Sequence, residues 1–443
     1  MSSSLDRLRR LQSLRPQRAR PELTYAPLDD DLPAPYVRAT RRGALEELAP
    51  GAEVATAAGG CYVVTAAYPL AQRHGDHALG DLLAFAPHTL APFHPDFALD
   101  ALDNFASAAF IDTETTGLGA GAGVYAFMIG VGTFEKPSSD ASLQFVVRQF
   151  FMRHPGEEAA VLLALADRLA DRQLAVTFNG RTFDLPLLRA RFMQNRRTFA
   201  GRAGVAMLQE GAPHLDLLHP ARRLWRRRLQ SCRLVNLEQV ILGLQRNEDD
   251  VPGALIPYLY HEYLRTGNAG EMSRVFYHNR EDIVSMVALA HRLIQAYATP
   301  EEAESGLGVQ GADWLALGIT YEKRGEAARA EAAYRRALDA IRDDAHRADA
   351  FAHLADLCKR QARWDEAAAM WELWLTSVPG VDPTPYVELA KYCEWQLQEL
   401  ERAEMWAAWA LHNLTAAPVY ARLPGQVAEL EHRLARIRRK RQS

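Results

Sequence analysis

Ala108-Ala109-Phe110-Ile111-Asp112-Thr113-Glu114-Thr115-Thr116-Gly117 is the stretch on which the reading of this chain turns. An apolar run of strand length ends in two acids separated by one residue. Side chains alternate along a strand, so Asp112 and Glu114 project from the same face. Neighbouring carboxylates repel one another and resist burial, and a bound divalent cation is the usual reason for a fold to keep them together. Taken alone, such a pair is equally well a solvated surface feature.

Working outward, residues 105–298 alternate strand-like and helix-like patterns, which predicts an α/β domain. Strands are expected to end at Asp112-Thr113-Glu114 and to cover 124–134, 143–151 and 174–178. Helices are expected over 157–170, 184–193, 234–244 and 272–296. Two more acidic motifs fall on these elements. Asn179-Gly180-Arg181-Thr182-Phe183-Asp184 leaves a strand and opens a helix, with Gly180 read as the residue that permits the sharp exit. Asp184 by itself would be an ordinary helix cap. His278-Asn279-Arg280-Glu281-Asp282 lies in the longest helix, where His278 and Asp282, four apart, share a face. By itself that is a common surface pair. The order of the three motifs is what gives them weight.

With these residues in place the sequence resembles a known family. The three motifs resemble the exonuclease motifs of the DnaQ-like, or DEDD, branch of the ribonuclease H-like superfamily. More narrowly, residues 110–118, Tyr125-Ala126-Phe127, residues 179–186 and Asp250-Val251-Pro252-Gly253 resemble the YprB-like ribonuclease H-like proteins, over about residues 54–296. The spacing departs from both familiar DEDD patterns. A histidine five before the last aspartate would fall on Tyr277, and a tyrosine four before it would fall on His278.

The resemblance implies a mixed central sheet flanked by helices and a phosphodiester hydrolase that uses two Mg²⁺ or Mn²⁺ ions about 4 Å apart. Asp112 is then the bridging ligand, Glu114 and Asp282 ligate one ion each or act through water, and Asp184 binds the second ion. His278, expected near its ordinary pKa, takes the proton from the attacking water, with Tyr277 as the other candidate. Thr115, Asn179 and Arg181, beside the motifs, are candidate nucleic-acid contacts. The run Arg222-Arg223-Leu224-Trp225-Arg226-Arg227-Arg228 offers phosphate contacts through Arg226, Arg227 and Arg228, with Trp225 either stacking on a base or anchoring the core. Asp216 is read as a turn or cap residue. Gly119–Gly123 lacks the lysine and hydroxyl of a phosphate-binding loop.

Residues 306–443 form an expected all-α domain of about three tetratricopeptide repeats. Trp314, Leu317, Gly318, Tyr321, Ala330, Tyr334 and Ala337 resemble that signature, and copies follow at Phe351 and Tyr386 with a period of about 34 residues. The second copy is offset by a longer loop expected at 343–347, and the third carries a one-residue insertion. Such repeats bind protein segments in a groove. Residues 1–42 read as a flexible tail with at most a short helix near 5–14, and 43–104 as a small lead-in module of strands and short helices. The closing Arg438-Arg439-Lys440-Arg441 reads as a frayed, solvated end.

The bulk numbers fit this picture. The 443 residues are 48% hydrophobic and 24% charged, with a net charge of −4. That suits a folded, multidomain protein and excludes a general polyanion coat. Cys61, Cys232, Cys358 and Cys393 are too scattered for a CxxC site and fit a reducing cytoplasm. No run is long enough to span a bilayer, and the arginine-rich start lacks the apolar core of a secretory signal. The expected function is a metal-dependent nuclease acting on single-stranded DNA or RNA, with 3′–5′ exonuclease polarity implied by the resemblance alone. The alternatives are a structure-specific endonuclease or ribonuclease, and a non-catalytic nucleic-acid scaffold.

Overall fold

A computed structural model of the chain describes residues 42–93, 99, 102–117, 123–136, 138, 141–199, 205–247, 250–303, 309–380, 382–416 and 425–442. The N-terminal tail with its short helix, and most of Gly119–Gly123, lie outside these residues.

A seven-stranded sheet organises the first two-thirds of the chain, in the order β1-β2-β7-β6-β5-β8-β9. Its strands are β1 Ala52–Thr56, β2 Gly59–Pro69, β5 Ala108–Thr115, β6 Ala126–Glu135, β7 Gln144–Phe151, β8 Leu174–Thr177 and β9 His214–Asp216. A separate small hairpin pairs β3 (Arg73–His74) with β4 (His77–Ala78). Strands β1, β2, β7, β6 and β5 run antiparallel, whereas β8 and β9 join parallel to β5. The expected lead-in module is therefore not separate. Its hairpin pairs directly with β7 and lengthens the sheet, because β2 is apolar enough (Cys61 to Val64 all buried) to be covered on a face.

The expected strands and helices of the α/β part are present to within a few residues. Helix α1 spans Glu158–Leu169, α2 Asp184–Gln194, α3 Leu218–Trp225, α4 Leu234–Ile241, α5 Ile256–Thr266 and α6 Gly270–Ala298. Strand β9 had not been anticipated, whereas α3 is the helix that one reading of the arginine run implied, and α5 carries the near-helical tyrosine spacing of Tyr258, Tyr260 and Tyr263. Of the α5 tyrosines, Tyr258 is exposed whereas Tyr260 packs inward: it stacks on Phe127 with centroids 3.9 Å apart and donates to the Met152 carbonyl at 2.8 Å. Trp225 is the core anchor of its two readings, 1% exposed.

Helix α6 sets the geometry of everything near it. It lies over β6 at two glycines. A Cβ at Gly130 would come within 2.3 Å of both Asn279 Oδ1 and Ile283 Cδ1, and one at Gly132 within 2.6 Å of Ile283 Cγ2. The missing side chains let the helix sit this close to the sheet, and Gly130 is the register partner of Asp112.

The C-terminal part is a succession of packed helices: α7 Gly311–Lys323, α8 Ala327–Ala340, α9 Asp344–Arg360, α10 Trp364–Ser377, α11 Thr384–Tyr392, α12 Leu400–Ala416 and α13 Gln426–Gln442. Gly318 lets α7 meet the Tyr334 ring of α8, since a Cβ there would lie 2.4 Å from it. The extra residues after α8 lengthen a helix rather than a loop, because Asp343 caps α9 by accepting from the His346 amide at 2.9 Å. A π-helical turn, Cys393–Leu397, lies between α11 and α12, in the stretch where a one-residue insertion was expected. The terminal basic run is not frayed either. Arg438 and Arg441 pair with Glu404 at 2.8 and 2.9 Å, and Lys440 pairs with Glu394 at 2.7 Å. Among the described residues no helix is long and apolar enough to cross a membrane.

Replacing Gly130 by Ala forces a methyl group into α6. The expected cost is about 1–3 kcal/mol of stability, the usual range for overpacking, measured by chemical denaturation against the parent protein. An unchanged denaturation midpoint would show that the helix has room to move.

Candidate metal and nucleic-acid site

Strand β5 delivers the first two acids. The ladder between β5 and β6 shifts register between Glu114 and Thr115, a bulge of the kind that re-aims side chains at a strand end. Thr115 spends its hydroxyl on the Gly117 carbonyl at 2.8 Å, which closes the exit of the strand.

Asp112 is held by a relay that runs across three strands. Gln149 on β7 and Asp112 on β5 are both register partners of Gly130 on β6, and Asn279 reaches down over that glycine. Gln149 Nε2 donates to the Phe276 carbonyl at 2.8 Å and to Asn279 Oδ1 at 2.9 Å. Asn279 Nδ2 donates to Asp112 Oδ2 at 2.8 Å. The Phe276 carbonyl can only accept, so the orientation of both amides is forced, and Asp112 must present an acceptor. Both amide side chains are buried, 1% and 0% exposed. Gln149 left a trace in the sequence as a polar residue on the inward face of an apolar strand. Asn279 stood inside a quoted motif without a role.

Asp184 is not a cap. It is the first residue of α2, and its carboxylate accepts from the Thr113 hydroxyl. The turn before it is shaped differently from expectation. Asn179 takes the left-handed conformation (φ 67°), while Gly180 is needed because a Cβ would fall 2.6 Å from Thr177. Buried Asp216 fastens the same turn, accepting from the amides of Asn179 at 2.8 Å, Arg181 at 3.0 Å and Leu218 at 3.1 Å.

Asp282 and His278 come from α6. His278 Nδ1 lies 2.7 Å from Asp250 Oδ1 and its Nε2 lies 3.7 Å from Asp282 Oδ2. Tyr277 turns away, its hydroxyl accepting from the Asn247 amide at 3.3 Å. Arg246, which no feature of the sequence had pointed to, binds Asp282 directly. It also forms a forked pair with Glu238 at 2.6 and 2.7 Å, and its side chain is 8% exposed.

Electrostatically the acids form one group. Burial, then the charges of Asp282, Glu114 and Asp184, hold Asp112 well above the usual carboxylate range. Burial first, then Asp282 and Asp184, pushes Glu114 up to about 7 against the pull of His278. Burial pushes Asp184 up to about 6 despite its Thr113 hydrogen bond. His278 does not sit at its ordinary value. Burial pulls it down, but Asp282, Asp250 and Glu114 outweigh that and carry it up to about 10. In this charge state its ring is a proton donor.

The donor set suits a hard divalent cation: four carboxylates, three of them burdened by burial and mutual repulsion. Asp282 is turned to Arg246 instead, and no three of these acids bring oxygens within 4.8 Å of one another.

A cleft of about 730 Å³ opens beside the acids, lined by Asp112, Asp282, Asn179, Phe178, Arg222, Arg226 and Arg233. A second, of about 880 Å³, shares Arg222 and Arg226 and continues past Arg181 and Arg223 to Lys323 and His346 of the C-terminal helices. The arginine run therefore divides. Arg226 faces both clefts. Arg228 is committed to the fully buried Asp313 at 2.9 Å, and Arg227 pairs with Asp349 at 2.7 Å while lining the second cleft. These two tie the α/β part to the helical part, so the phosphate contacts expected of them are not what their geometry serves first.

This topology and this placement of acids coincide with a family match: residues 109–294 match the family described as the RNase_H superfamily. Residues 109–294 form a ribonuclease H-like domain. Over 389 residues, 86% of this chain and 86% of the relative, the sequence is also 28% identical to a protein of Bacillus subtilis (strain 168) named Uncharacterized protein YprB. The ribonuclease H-like domain points to a nuclease-type function acting on nucleic acid.

The pKa directions fix how stability responds to pH. Glu114 and His278 both titrate above their unfolded values, so the stability they lend is complete at low pH and is lost as pH rises through about 7 and about 10 respectively. His74 and His291, both lowered to about 4, have made their full contribution by pH 6.5 and do not confuse the window above it. In chelator the melting temperature is expected to fall between about pH 6.5 and 8.5, and Mn²⁺ is expected to restore it most at the upper end. Asp112→Asn should raise the metal-free melting temperature at the upper pH and abolish the response to Mn²⁺. A flat profile would mean the carboxylates carry no such burden.

Proposed function

We propose that this chain is a metal-dependent nuclease of the DEDD type, hydrolysing phosphodiester bonds of single-stranded nucleic acid from the 3′ end. The observation that carries this reading is one cleft with carboxylates at its floor and arginines on its wall. A polyanion is drawn in by the wall, and its scissile bond is brought to a set of oxygens that only cations can reconcile with it.

Asp112, Glu114, Asp184 and Asp282 would hold two Mg²⁺ or Mn²⁺ ions, which supply charge stabilisation and an activated water when bound. The chain's own residues do the rest. Gln149 and Asn279 hold Asp112 in place and aimed at the cleft. Thr113 orients Asp184. Arg246 neutralises Asp282 and is the group that must yield if Asp282 is to ligate. Asp250 fixes the His278 ring through Nδ1, leaving Nε2 facing Asp282 as the atom that holds or moves a proton. Arg226 and Arg222, four apart on one helix face, bind the strand, and Arg181 lies along its continuation toward Lys323.

Labelled DNA and RNA oligonucleotides incubated with Mg²⁺, Mn²⁺ or chelator test the reading. Asp112→Asn and Asp282→Asn should abolish metal-dependent cleavage while keeping the fold. His278→Ala should slow it by roughly 10²–10⁴-fold, the usual loss when a proton-transfer group is removed, and Tyr277→Phe should be near neutral. Full activity in Asp112→Asn would sink the assignment. A ladder growing from the 3′ end separates exonuclease from endonuclease action.

The arginines make a second, independent test. Arg226→Ala should flatten the salt dependence of single-strand binding by about 0.7 in logarithmic slope, one phosphate contact. Arg228→Ala should leave that slope alone and instead lower stability by about 3 kcal/mol or more, because it strands the buried Asp313 carboxylate.

A further inference from the structure

Among the described residues, one group of side chains outside the acidic cleft brings three potential metal ligands together. His77 of β4, Asp81 just beyond it, and His291 of α6 each place a ligand atom within 4.8 Å of the others. His291 is 6% exposed, and its Nδ1 has no hydrogen-bond partner. Neither has the buried Nε2 of His77. A buried polar atom without a partner costs about 1–3 kcal/mol. Two such atoms on adjacent rings, centroids 4.1 Å apart and tilted by 46°, are a double cost that packing alone does not explain.

The surroundings hold the group in place. The β3–β4 turn is Gly75-Asp76, with Gly75 at φ 65° seated against the Leu242 carbonyl. His74 Nε2 lies 2.8 Å from Ser285 Oγ and tethers the hairpin to α6. Phe85 braces the His291 ring edge-on at 5.3 Å. Asp81 spends one oxygen, Oδ2, on the Ala78 amide at 2.9 Å, which leaves Oδ1.

We propose that His77, Asp81 and His291 form a binding site for a borderline divalent transition metal, zinc by ligand preference, that clasps the β3–β4 hairpin to α6. Two imidazoles and a carboxylate leave a fourth tetrahedral position for water. Nitrogen ligands also set the site apart from the all-oxygen cluster, which suits magnesium or manganese. The two are separated along α6 by the stretch from Asp282 to His291, about 13 Å of helix axis. Burial, followed by Arg292 for His77 and by His77 for His291, keeps both rings in the neutral, ligating form at neutral pH. Arg292 opposes a cation here, and Asp76 and Asp81 offset it.

The test uses the full chain carrying Asp112→Asn and Asp282→Asn, so that the acidic cleft does not compete. Zn²⁺ is titrated by calorimetry and Co²⁺ by its visible absorption. The proposal expects one equivalent of Zn²⁺, tetrahedral Co²⁺ bands, no displacement by Mg²⁺, and a higher melting temperature with Zn²⁺. His77→Gln and the exposed Asp81→Asn, each checked for native circular dichroism, should weaken binding by at least about tenfold, the smaller end of what even supporting residues of zinc sites cost. Absence of stoichiometric Zn²⁺ binding overturns the proposal, as does equal affinity in both variants. Should His77→Gln fail to fold, Asp81→Asn decides alone.

Discussion

The hydrogen bond from Asn279 to Asp112 is the constraint around which the α/β part is arranged. It exists because three unrelated choices agree. Gly130 leaves a gap in the sheet, Gln149 fixes the direction of the relay, and Ile283 presses α6 into the same gap. Remove any one and the helix has no reason to stop where it does. That placement in turn brings Asp282 and His278 to a strand end that already carries two acids. Proximity of like charges here is imposed by packing, in a core that supplies the opposing free energy.

Charge neutralisation is solved twice over in this cleft. Arg246 offers one answer from within, through buried contacts with Glu238 and Asp282. The donor chemistry of the four acids offers another from outside. A buried arginine is already paid for in desolvation by Glu238, so it can remain charged whether or not Asp282 stays with it.

Much of this was legible in the chain. The strand that ends in Asp112-Thr113-Glu114, the turn into Asp184 and the helix bearing Asp282 were found where periodicity put them, because each pattern is local. What escaped is non-local. Arg246 sits in a loop with no periodic neighbours, and its importance comes from residues eight and thirty-six positions away. Asp250 stood in a quoted segment of the resemblance without a role, and gains one only beside His278. Three-residue β9 is too short to show a pattern, and Asp216, which ends it, reads as an ordinary turn acid until three amides converge on it. The arginine run misled for the opposite reason. Its sequence is uniform, whereas its surroundings split it between a cleft and an internal contact.

Helix α6 ends in a carbonyl that does unexpected duty. The Tyr297 oxygen accepts from both the Tyr321 hydroxyl and Arg329 of the C-terminal helices, each at 2.9 Å. The rod that is wedged onto Gly130 near one end is thus the post on which the helical array hangs at the other. The array takes part of its bearing from this helix, so a tilt of that rod by a few degrees would carry Lys323 and the far wall of the cleft along with it.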